Sequence, residues 1–74
     1  MSDAHGASEV WFDAQMLHVR LQDGREMSVP IERFPRLRDT TDAQRKNWRL
    51  VGKGIGIHWE GVDEDIEVAA LLRG

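Results

Sequence analysis

The chain has no cysteine, no tyrosine and only two prolines in 74 residues. Without thiols there is no disulfide framework, no thiolate metal site and no cysteine nucleophile. Serine is nearly as scarce: beyond the extreme N-terminus only Ser8 and Ser28 occur. Neither stands in a nucleophile setting, and Ser28 is expected to point outward from a strand. Long apolar runs are missing too, since no stretch approaches the ~18 residues of a membrane span. The first eight residues carry neither a basic nor an apolar leader region. The expectation is a cytoplasmic, non-enzymatic protein with no cofactor and no membrane partner.

A chain this short buries roughly 60% of the surface its unfolded form exposes, so its core is thin. With no disulfide or metal to help, stability must come from apolar side chains or from a second copy. Three tryptophans, Trp11, Trp48 and Trp59, are many for such a core. A homodimer formed through a sheet, with Trp11 or Trp59 near its centre, is therefore expected.

Charge is abundant but segregated. Residues 33–53 hold seven basic side chains, Arg33, Arg36, Arg38, Arg45, Lys46, Arg49 and Lys53, against Asp39 and Asp42, a local balance of +5. Residues 60–67 hold Glu60, Asp63, Glu64, Asp65 and Glu67 and no base. The two blocks can neutralise each other across the fold, or the basic one can face nucleic acid, or the acidic one a basic protein.

Residues 1–8 are small and polar and read as a flexible tail, leaving residues 9–74 as one domain. The run 9–13 reads as a strand with Val10 and Phe12 on one side and Trp11 on the other. Residues 13–15 turn the chain, and Leu17, Val19 and Leu21 alternate with Met16, His18 and Arg20 as a second strand. Asp23-Gly24 is a strong hairpin signal, returning the chain through Met27 and Val29 to Pro30. The fold class is thus α+β, opening on a three-stranded antiparallel meander. Short helical turns follow at 31–34 and from Pro35, with Phe34 and Leu37 on one side. Thr41 and Gln44 form a capping box for a helix of about two turns running through Trp48. Two further strands are expected, one from about Arg49 and one over 52–59 with Ile55, Ile57 and Trp59 inward. After a strand-like entry to Ile66, a short helix from about Glu67 closes the chain, capped by Asp63 or Asp65.

The expected core is Trp11 or Phe12 with Leu17, Val19, Leu21, Val29, Phe34, Leu37, Ile55, Ile57, Ile66 and Leu71. His5, His18 and His58 have no metal-ligand spacing. Gly52, Gly54 and Gly56 around Lys53 lead into a strand, not a helix N-terminus, which argues against a phosphate loop. They instead make room for a close neighbour such as Trp11 or Trp48.

Taken in order, Asp23-Gly24, Val29-Pro30, Phe34-Pro35-Arg36-Leu37, the threonine-rich cap before Gln44-Arg45, Gly54-Ile55-Gly56-Ile57-His58-Trp59 and Asp63-Glu64-Asp65-Ile66-Glu67-Val68 followed by Leu71-Leu72 resemble the small bacterial family called domain of unknown function 2442. The resemblance implies a short α+β domain, often encoded beside a small partner gene in a toxin–antitoxin-like arrangement, with no catalytic residues to carry over.

The leading functional expectation is a protein-interaction module, the antitoxin-like half of a two-gene pair. It would bind a small basic protein or neighbouring gene product through Trp59, Glu60, Asp63, Glu64 and Glu67. The alternative is a nucleic-acid-binding accessory domain using Arg36, Arg38, Arg45, Lys46 and Arg49 from the basic segment, which also holds Arg33. Net acidity and the lack of a recognition-helix pattern weigh against it.

Overall fold

Two successive meanders build the molecule, a computed structural model that describes residues 6–72. β1 (Ala7–Phe12), β2 (Met16–Leu21) and β3 (Glu26–Pro30) pair antiparallel in that order. The two turns fix their register: Trp11 lies opposite His18, and His18 opposite Ser28. Asp13 makes the first turn by accepting from the amides of Gln15 and Met16, and Gly24 makes the second at φ 94°. β1 begins two residues before the expected start. Ala7 is fully buried, so the N-terminal tail cannot extend to residue 8; residues 1–5 lie outside the described residues.

A 3-10 turn at Ile31–Arg33 and two single-turn helices, α1 (Pro35–Arg38) and α2 (Asp42–Arg45), lead out of the first sheet. The Thr41–Gln44 capping box forms as expected. The helix behind it is one turn, not two. The Arg45 carbonyl, which a further turn would occupy, instead accepts the Trp59 indole N–H at 2.9 Å, and Trp48 leaves to pair with Trp59 in a sheet.

That second sheet holds the two further strands expected, β4 (Trp48–Val51) and β5 (Gly56–Trp59), and the strand-like entry to Ile66 forms its third, β6 (Glu64–Glu67), antiparallel in that order. The run 52–59 is not one strand. Gly52, Lys53 and Gly54 all have positive φ, and Ile55 is right-handed helical (φ −67°, ψ −33°). The alternation therefore restarts at Gly56, and Ile55, expected in the core, is 58% exposed. The neighbour that needs a glycine is neither tryptophan. A Cβ on Gly54 would stand 2.5 Å from the Ala7 carbonyl oxygen, so the bare backbone of the turn packs on the start of β1.

The closing helix, α3 (Val68–Leu72), starts one residue later than expected, and no acidic side chain caps it from Asp63 or Asp65. Asp63 sits in a left-handed turn and Asp65 within β6; the Val68 amide instead donates to the Ile55 carbonyl at 2.9 Å. Between the sheets Leu17, Val19, Leu21 and Val29 meet Ile57, Trp59, Ile66, Val68 and Leu71, with Leu37 closing the side. Phe12 and Phe34 are half-buried against this cluster, and Phe12 meets Trp59 edge to face.

Candidate functional site

Alternation along β4, β5 and β6 turns two rows of side chains outward from the second sheet. One is Arg49, His58 and Asp65; the other is Val51, Gly56 and Glu67. Val51 is 40% exposed, and the still more exposed Ile55 adjoins that end of the sheet. Glu60, just past β5, reaches back over the face to place a carboxylate oxygen 3.1 Å from Arg49 Nε and 3.8 Å from His58 Nε2. His58 Nδ1 lies 2.6 Å from Asp65 Oδ1. The face thus carries three carboxylates, one guanidinium and the exposed Val51, with Ile55 exposed in the turn that adjoins it.

Of the five residues expected to meet a protein partner, Glu60 and Glu67 stand on this face. Asp63 is exposed at its rim, where its carbonyl accepts from Arg36 Nη1 at 3.2 Å. Glu64 is half-buried and pairs with Trp59 on the opposite, inward side of the sheet. Trp59 must be withdrawn from the surface altogether. It is fully buried, with its N–H committed to Arg45, so its ring cannot be part of a docking surface or of a dimer centre. Asp65, Val51 and Ile55 were missed, although β-alternation across the Gly61-Val62-Asp63 turn places Asp65 opposite His58.

The basic block is dispersed rather than gathered. Arg45 is withdrawn from any nucleic-acid surface: Nε donates to the Leu37 carbonyl at 2.8 Å, Nη2 to the Arg38 carbonyl at 2.8 Å, and Nη1 to Asp42 at 2.9 Å. It adds charged donors to the carbonyls at the end of α1, where Leu37 otherwise accepts a long contact from the Thr40 amide at 3.5 Å and Arg38 none from the backbone among the described residues. Arg38 pairs with Asp39, Arg49 with Glu60, and Arg36 with the Asp63 carbonyl. Among the five expected nucleic-acid contacts only Lys46 has no partner among the described residues. Arg49–Glu60 and Arg36–Asp63 also bring the two charge blocks into direct contact.

The first sheet's outward face holds a second network. The Trp11 and His18 rings stack at 5.4 Å, and the Arg20 guanidinium lies 5.3 Å from the centroid of Trp11 while binding Glu26. His18 Nε2 is 2.8 Å from Asp13 Oδ2, and its Nδ1 is 2.7 Å from Ser28 Oγ. His18 and the amides of Gln15 and Met16 together hold the Asp13 carboxyl down at about 2. An ionised carboxylate only accepts, so Nε2 donates to Asp13, and Nδ1 shares a hydrogen bond with the Ser28 hydroxyl. The row Trp11–His18–Ser28 follows from the two hairpin turns, which fix both registers. The bonds to Asp13 do not, because they depend on where the first turn places that side chain.

No curated protein matches the chain. A solved structure from Rhodospirillum rubrum, described as a protein of unknown function, superimposes with a TM-score of 0.80 at 27% identity, covering 93% of this chain and 86% of its own. The model of a family described as protein of unknown function, DUF2442, matches residues 7–74, and the chain belongs to that family.

Proposed function

We propose that the protein is a non-catalytic interaction module that binds a small basic protein, such as a neighbouring gene product, through the outward face of its second sheet. The observation behind this reading is exposed Val51 on a face that also carries Glu60, Asp65 and Glu67, with exposed Ile55 in the adjoining turn. Apolar area supplies affinity and a charged rim supplies selectivity and encounter rate. The Arg49–Glu60 pair is exposed on both sides (64% and 49%) and is worth ~0–1 kcal/mol, so an incoming cation can displace it at little cost. An antitoxin-like role in a two-gene pair is the biological form this reading takes. The nucleic-acid alternative has less support, because Arg45 is committed to backbone carbonyls.

Titration calorimetry of the protein against its gene neighbour's product tests the proposal. Binding should weaken with added salt and fall at least about tenfold in a Glu60→Gln, Glu67→Gln double variant. Absence of heat at micromolar concentrations, or binding indifferent to both carboxylates, would remove it.

A further inference from the structure

A cleft of about 430 Å³ is lined by the consecutive residues 10–14 on one side and by α2 on the other. Consecutive strand residues point to opposite faces, so a cleft touching all of them runs along the strand's edge rather than over either face. The edge is that of β1, the outer strand of the first sheet. Among the described residues, 8–12 make no backbone hydrogen bond outside the β1–β2 ladder. In an antiparallel ladder alternate residues aim N–H and C=O away from the partner strand, so β1 presents unpaired groups to the cleft. The Ala7 end is closed, because the Gly52–Gly54 turn packs against it. β4 also approaches β1, and the part of the strand that lines the cleft is residues 10–12, about 10 Å, continuing into the turn at Asp13 and Ala14.

We infer that this edge is a second docking site, which accepts an extended acidic segment of a partner protein as an added strand. Main-chain pairing supplies the contact, and the walls supply the selection. On the outward side an added strand meets the half-exposed Trp11 ring; on the inward side it meets Val10 and Phe12, which favour an apolar residue there. The charge at the cleft picks the neighbouring residue. Arg45 is spent on two carbonyls and Asp42. Asp13 already holds three donors. Lys46 is exposed, lines the cleft and has no partner among the described residues, leaving a cation as the uncommitted charge. An acidic side chain alternating with apolar ones fits these walls, whereas a lysine would face Lys46.

The probe is a blocked heptapeptide alternating valine and glutamate, titrated into the isotopically labelled full chain, with its valine–lysine counterpart as control. The expected result is saturable amide shifts and slowed hydrogen exchange confined to residues 9–14 and 42–46, no binding of the lysine peptide, and at least about tenfold weaker binding in Lys46→Glu. That variant changes an exposed side chain, and its unchanged melting temperature shows that the fold is intact. Shifts on Arg49, His58 and Asp65 instead, equal binding of both peptides, or no saturation by about 1 mM overturn the inference. So does protection of residues 9–14 that rises with protein concentration and doubles the sedimenting mass, since the edge would then belong to a second copy of this chain.

Discussion

Arg45 and Lys46 are adjacent bases in the sequence with opposite fates, and the difference lies in what surrounds each guanidinium or ammonium. The Arg45 fork finds two carbonyls that a four-residue helix cannot satisfy for itself, and its side chain is only 18% exposed. A planar, multiply donating group suits that task, and a lysine does not. Arg45→Ala should cost about 2 kcal/mol in a urea titration, because carbonyls lose charged donors. Lys46→Ala should stay within about 0.5 kcal/mol of the parent. Equal effects would mean that Arg45 is a surface charge after all. Sequence alone could count these bases but could not assign them, since the carbonyls Arg45 serves lie seven and eight residues upstream.

Asp13 carries a pH dependence that can be read at one residue. Its carboxyl titrates at about 2 in the folded chain against an ordinary 3.8, held down first by His18 and then by two turn amides. A depressed folded-state value stabilises the fold above the unfolded value, and the contribution is lost as pH falls from about 4 through about 2. Asp13→Asn should therefore flatten the decline in melting temperature across that acid window. An unchanged slope would show that the Asp13–His18 contact does not persist in solution. The group is exposed, so solvent screening keeps the effect small.

Among elements, those set by local chemistry were legible and those set by distant partners were not. Asp23-Gly24, the alternation of 16–21 and the Thr41–Gln44 box each dictate their own conformation, and β2, the second hairpin and the cap of α2 appear where expected. The length of α2 was not legible, because the Trp59 indole, fourteen residues away, ends it. Nor was the break at 52–55, since Lys53 adopts φ 62° although it is not glycine. Alternation put Ile55 and Ile57 on one face, but the break separates them into an exposed and a fully buried side chain. Ile57→Ala should cost about 2–5 kcal/mol in chemical denaturation. Ile55→Ala should cost under about 0.5 kcal/mol. Comparable losses at the two positions would put Ile55 back into a continuous strand.

At the scale of the molecule, neither three-stranded sheet can bury its inward face alone. Leu17, Val19, Leu21 and Val29 from one sheet are buried only because Ile57, Trp59 and Ile66 from the other cover them. The acidic outward face of the second sheet was legible as a charge block, whereas the β1 cleft needed the tertiary approach of α2 to β1 and left no mark in the sequence. Because the core is shared, the two sheets should unfold as one cooperative unit rather than as two modules. Native-state hydrogen exchange tests this with a single core change. In Ile57→Ala, which alters only β5, the slowest amides of β2 should lose protection by the same free energy as those of β5, matching the global loss. If β2 kept its protection while β5 lost its own, each meander would be folding separately, and the outward faces of the two sheets would not share one stable scaffold.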